Sequence, residues 1–227
     1  MGPGRPIRTP MSHDDLALRT WVRDRTPSVR LVGQGRGIRN ASGGYVNEIA
    51  SRGQLRLAFL RWALVTVPAI EFLGLASGFL ANSGYRNRWF AALAKPEFTP
   101  PGWVFATVWP ILYLLIALAL AIVIHARGAK GRGVAIMFFL VQLVCNFVWS
   151  PLFFAAHEAT LAFYLLVVIL ALATLTTIFF ARIRTLAALL MLPYLLWLCF
   201  AAVLAFQIDR QNPDAETLVA PAVRTQI

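Results

Sequence analysis

Charge is scarce in this chain. Only 14% of its 227 residues are charged, 59% are hydrophobic, and the mean hydropathy is +0.66. A soluble domain carries about 25% charged and about 45–50% apolar residues, and its watery surface could not absorb the excess seen here. A lipid solvent can. Cysteine is nearly missing as well: Cys145 and Cys199 both lie inside apolar runs, with no CxxC or Cys/His partner at ligand spacing. That supports neither a disulfide framework nor a structural zinc site. Of the three histidines, His125 and His157 fall at the ends of apolar runs without a second ligand nearby. Ser/His/Asp order, GxSxG and HExxH are all lacking, which disfavours a hydrolase. There is also little apolar/polar alternation. The run LLVVILALATLTTIFF is apolar on every face, so spanning elements must be helices and not the strands of a barrel.

Five apolar stretches are present, each near the 17–25 residues that cross about 30 Å of hydrocarbon. They run from about Leu57 to Ala81, Trp103 to Ala126, Val134 to Ala156, Leu161 to Ala181 and Leu186 to Ile208. The fold class is therefore an all-α membrane protein, a bundle of five transmembrane helices. The short separators NSGYRNR, RGAKGRG, HEAT and RIR predict that consecutive helices are antiparallel neighbours. Residues 1–55 are rich in Gly, Pro, Ser and Arg without an apolar period and read as a basic, disordered N-terminal tail. Within it GQGRG (Gly33 to Gly37) has no preceding strand and no following GK[ST], so it is a linker and not a phosphate loop. Arg5 and Arg8 precede no apolar h-region, so no secretory signal is expected at the N-terminus. The domain spans residues 56–212, followed by a short C-terminal tail, residues 213–227.

The formal charge of +11 suggests a polyanion at first. The basic residues sit in the tail and at the ends of apolar runs, however, where they fit lipid headgroups and not nucleic acid. One side carries Arg52, Arg56, Arg127, Lys130, Arg132, Arg182 and Arg184. The other carries Arg86, Arg88, Lys95 and Arg210 beside Glu97, Glu158, Asp209 and Asp214. This bias predicts a cytoplasmic N-terminus and a C-terminus across the membrane.

Three clusters interrupt the lipid-like sequence. In WFAALAKPEFTPPGWVFATVWPILY, Trp89 to Tyr113, Pro96, Pro100 and Pro101 stiffen the loop between the first two spans and Pro110 is expected to kink the second. The aromatics Trp89, Phe90, Phe98 and Trp103 either cap a cavity or form a belt at headgroup depth. In QLVCNFVWSPLFF, Gln142, Asn146 and Trp149 share one helix face. Amides in a span are costly toward lipid, so they serve as interhelical glue or as ligand contacts, and Pro151 bends or ends that helix. In LLMLPYLLWLCFAAVLAF, Pro193 breaks the ladder and Tyr194, Trp197 and Ala201 form a stripe with room for a flat partner or for tight packing. Glu71 is an acid inside the first span, with Arg61 too far along the helix to pair with it. A lone intramembrane acid without a basic partner does not make a pump.

Taken together, W-x5-KP-x3-PP-x-W, N-x2-WSP-x-FF and PY-x2-W-x2-FA resemble the TspO/MBR family of tryptophan-rich sensory proteins, over about Gly74 to Asn212. The resemblance implies a five-helix bundle, a homodimer, and a pocket opening toward the loop after the first helix that binds protoporphyrin IX, haem, or sterols in some lineages. Matched residue by residue, the pocket would be lined by Trp89, Phe90, Pro100, Trp109, Tyr113, Asn146, Trp149, Trp197 and Ala201. Offset stacking of a flat macrocycle on such rings is physically apt. Trp89 and Trp197 resemble a pair linked to light-dependent porphyrin breakdown in some members. The chain departs from the family at Leu204, Ala205 and Phe206, where Phe206 replaces the tyrosine of the weak sterol pattern before Arg210. Leu161 and Leu165 stand where the family often has an aromatic residue and an acid.

These features imply a membrane receptor that binds a porphyrin or haem as ligand, requires no cofactor or metal, and senses, sequesters or moves tetrapyrrole intermediates, in a bacterial cell membrane. The alternatives are a light- and oxygen-dependent porphyrin-degrading enzyme and a regulatory protein acting on a membrane partner through its tail.

Overall fold

A computed structural model of the chain describes residues 52–218, with side chains from Leu57 onward. The N-terminal tail, including GQGRG, and residues 219–227 lie outside that range.

The described residues form six helices: α1 (Arg52–Leu80), a single-turn α2 (Arg88–Ala92), α3 (Gly102–His125), α4 (Arg132–Ser150), α5 (Ala159–Ile183) and α6 (Thr185–Gln211). A π-helical turn, Pro151–Ala155, extends α4, and a 3-10 turn, Ala215–Thr217, follows α6. Five helices are long and apolar enough to span a membrane. The chain is an all-α, five-helix, multi-pass membrane bundle.

Going round the bundle, α1 packs on α3, α3 on α6, α6 on α5, and α5 on α4, which closes back more loosely toward α1. The consecutive helices α3 and α4 therefore meet only slightly, contrary to the simple expectation that every short link joins packing neighbours. The reason lies in α3. Its small residues Ala117, Ala119 and Ala121 are fully buried, which makes it the inner helix, held between α1 and α6. Helices in lipid gain no hydrophobic drive from one another, so close packing of small residues and interhelical hydrogen bonds must hold them. Thr66 of α1 donates to the Ala117 carbonyl at 3.1 Å, and the stacked rings of Phe139 and Phe180 join α4 to α5. Large apolar residues such as Leu64, Phe72 and Phe79 project outward, as a lipid-facing surface requires.

Of Pro110, Pro151 and Pro193, two lie inside their helices and one follows its helix end. Helix α3 runs through Pro110 and α6 through Pro193 without interruption. At Pro151 the α-helix ends, as expected, and the chain continues as the π turn, closed by Ala156 N–H to the Pro151 carbonyl at 2.9 Å. Proline lacks the N–H that would have bonded the carbonyl four residues back, that of Phe147. Ser77 of α1 donates its hydroxyl to that carbonyl instead.

Candidate ligand-binding site

Two residues decide how closely α1 and α3 approach the cavity between them. A Cβ on Gly74 would come within 2.2 Å of the Tyr113 ring, so the close approach of that ring to α1 needs glycine there. At the start of α3, a Cβ on Gly102 would come within 2.9 Å of Tyr85. The freed space is a cleft of about 360 Å³, within the size range of small-molecule sites. It is walled by α1, the α1–α3 loop, α3, the end of α4 and α6.

Seven of the nine residues expected to line a pocket meet there: Phe90, Trp109, Tyr113, Asn146, Trp149, Trp197 and Ala201. Trp89 and Pro100 stand behind the wall. Trp89 is 2% exposed; its indole N–H donates to the Ala215 carbonyl at 2.8 Å, and its ring stacks on His157 and meets Phe153 edge-on. Pro100 accepts a hydrogen bond from the Tyr85 hydroxyl at 2.8 Å and thereby holds Tyr85 in the wall. Sequence reasoning missed Gly74, Gly78, Tyr85, Phe105, Phe153 and Phe154 as wall residues. The spacing of four between Gly74 and Gly78 was a usable signal, since glycine pairs at that spacing mark close helix approach.

The wall is a set of interlocked rings. Phe105 meets Trp197 edge-on at 5.6 Å, Trp109 tilts on Tyr113 at 5.3 Å, Trp149 stacks on Phe153 at 5.2 Å, and Phe90 meets Phe154 edge-on at 5.3 Å. Among the described residues no Lys, Arg, His, Asp or Glu lines the cleft, and neither does Cys or Met. A charged group entering it would meet no side chain of opposite charge among these residues. The Trp149 indole is already committed to the Ala162 carbonyl. The Trp197 indole N–H is buried and has no hydrogen-bond partner among the described residues.

Behind the wall runs a polar relay. Tyr113 donates to the Asn146 side-chain oxygen at 3.1 Å, Asn146 donates to the Tyr194 hydroxyl at 3.1 Å, and Tyr194 donates to the Gln142 side-chain oxygen at 2.9 Å. Gln142 and Tyr194 are wholly buried. The shared face of Gln142 and Asn146 thus divides its roles: Gln142 is interhelical glue, while Asn146 reaches both the relay and the cleft. Tyr194 belongs to the relay and not to the ligand stripe with Trp197 and Ala201. Outside the spans, Lys95 lies 4.7 Å over the Phe90 ring and donates to the Leu93 carbonyl at 2.9 Å. Partial burial holds its ammonium below the ordinary lysine pKa.

Comparison with known proteins gives a consistent result. The sequence model of the TspO/MBR family matches residues 64–211. The tryptophan-rich protein TspO of Chlorobaculum tepidum is 36% identical over 155 residues, covering 66% of this chain and 98% of that one. The tryptophan-rich sensory protein of Cereibacter sphaeroides is 34% identical over 154 residues, 66% of this chain and 92% of its own. The human translocator protein is 33% identical over 153 residues, 64% of this chain and 90% of its own.

Proposed function

The chain belongs to the TspO/MBR family, and from that premise we propose that this membrane receptor binds a porphyrin in its aromatic cleft and senses, sequesters or transports tetrapyrrole intermediates. The observation that carries the reading is the wall itself: aromatic rings from the α1–α3 loop, α3, α4 and α6, and no charged side chain among the described residues that line it. A flat π-system gains stacking area on such rings, while its ionised carboxylates stay at the mouth, in water or near the basic residues of the α1–α3 loop.

Protoporphyrin IX suits this wall better than haem. Haem iron is ordinarily held by His, Cys, Met or Tyr. The first three do not line the cleft, and its two tyrosines already donate to Asn146 and Pro100. Light-dependent breakdown through Trp89 and Trp197 is the weaker reading, because only Trp197 reaches the cleft and Trp89 is boxed in by Phe153, His157 and Ala215. The charge bias of the described loops supports a cytoplasmic N-terminus in a bacterial cell membrane, and a homodimer is part of the same proposal.

Titrating the purified protein with protoporphyrin IX while following tryptophan fluorescence tests the reading. Saturable quenching is expected, and it should weaken in Trp109→Phe plus Trp197→Phe. Absence of saturation, or quenching equal to that in empty detergent micelles, would overturn it.

A further inference from the structure

One wall of the cleft is built from a segment that cannot hold its own shape. Tyr85 and Phe90 come from the α1–α3 loop, and the only helix there, α2, has five residues. A single turn gains too few hydrogen bonds to be stable alone, so its geometry is imposed from outside.

The ties are specific. At the start of α2, the Asn87 side chain accepts from the Phe90 N–H at 3.0 Å and donates to the Phe154 carbonyl at 2.9 Å. Beyond its end, Asn212 makes a reciprocal pair with Ala94: the Ala94 N–H donates to its side-chain oxygen at 2.8 Å, and its amide nitrogen donates to the Ala94 carbonyl at 2.9 Å. The same nitrogen donates to Ile208 at the end of α6 at 2.7 Å, which fixes the amide plane. Three residues on, the 3-10 turn presents the buried Ala215 carbonyl to Trp89. Phe90 is the next residue in the chain after Trp89, so whatever fixes Trp89 fixes the wall.

We infer that Asn212 and the Ala215 turn are a clasp that positions the loop wall, and that a guest enters or leaves the cleft only after this clasp is undone. For a porphyrin guest the inference rests on the proposed binding function; for access to the cleft it does not. The clasp has a buried tie and an exposed one. The Asn87 and Trp89 bonds are buried, whereas the Asn212–Ala94 pair is exposed. Water can replace the exposed pair at small cost, so opening starts there.

The test uses the full chain in lipid nanodiscs, with Cys145→Ser, Cys199→Ser and Ala201→Cys to place a single thiol in the cleft. The labelling rate by a neutral methanethiosulfonate reagent then reports access without any porphyrin. Asn212→Ala should abolish protection of the Ala94 amide against hydrogen exchange. It should also speed labelling on the order of ten-fold, the effect of losing two or three modest hydrogen bonds. Asn212→Asp, which keeps the acceptor and loses the donor, should fall between. Protoporphyrin IX, bound to the chain without the Ala201→Cys change, should dissociate faster and associate faster by similar factors, so that affinity moves little. A merely structural role would instead lower stability and affinity together. Loss of Ala94 protection with unchanged labelling would overturn the inference, as would unchanged Ala94 protection. Faster labelling in a protein that binds no protoporphyrin IX would uphold the clasp and overturn only the binding proposal.

Discussion

Ser77 donates its hydroxyl to the Phe147 carbonyl, the group that Pro151 leaves without its usual intrahelical partner. The proline that follows α4 thus frees the acceptor by which α1, otherwise loosely attached on that side, is tied to α4. Ser77→Ala should destabilise the bundle by about 0.5–1.5 kcal/mol, the range for interhelical hydrogen bonds in membranes. In a Pro151→Ala background, where an N–H is restored to compete for Phe147, the same change should cost less. A double-mutant cycle read by denaturant titration in mixed micelles measures the difference. Equal costs in both backgrounds would show that the two residues are not coupled.

The approach of α1 to α3 depends on Gly74 far more than on Gly78. A methyl at Gly74 overlaps the Tyr113 ring, while one at Gly78 meets nothing nearer than the Ser83 hydroxyl at 3.7 Å. Gly74→Ala should therefore cost about 1–3 kcal/mol, as overpacking does, and should disturb the cleft. Gly78→Ala should be nearly neutral. Thermal unfolding of the two variants side by side checks the contrast.

Tyr194→Phe removes a hydroxyl that accepts from Asn146 and donates to Gln142 in a fully buried position. Two buried amides then each lose a partner, at about 1–3 kcal/mol of stability. Tyr194 is not on the wall, so protoporphyrin IX affinity should change by less than about three-fold on this account, provided Asn146 keeps its bond to Tyr113. A large loss of affinity with normal stability would mean that the relay itself recognises the guest.

The spans were legible because lipid selects for length and apolarity, which composition and run length report directly. The clusters around Trp109, Asn146 and Trp197 were legible too, since each is a costly interruption of a lipid-like run. The packing order was not: α3 lies between α1 and α6 because of buried alanines that look like any other alanines in the sequence. Pro151 was visible as a break, but the Ser77 partner that uses it is 70 residues from Phe147. Trp89 was expected to line the pocket, and it stands behind the wall instead. Its bond to Ala215, across 126 residues, could not be read from local pattern, and it changes what the side chain does. The residues after Asn212 read as a tail, yet the Ala215 carbonyl accepts from Trp89 in the α1–α3 loop.

Iron should make little difference to binding. If haem enters the same cleft, its spectrum in the ferric protein should lack the signature of a protein His, Cys or Met ligand, and its affinity should not exceed that of protoporphyrin IX by more than about ten-fold. Absorption and magnetic circular dichroism spectra of the haem-loaded protein check this. A bis-histidine or histidine–methionine spectrum would place haem elsewhere or show a different wall.

A flat guest held in the ring-walled cleft should be excluded once that cleft is filled. Ala201 lines the cleft on α6 beside Trp197, so Ala201→Phe should block the space while leaving the relay and the helix ends intact. Protoporphyrin IX is titrated into wild type and variant in nanodiscs, with the Soret shift as readout and thermal unfolding as a check on folding. Saturable binding to the wild type is expected, with a response at least about ten-fold weaker in a folded variant, the scale of losing a well-packed contact in a small-molecule site. Equal binding by a folded Ala201→Phe protein would contradict it.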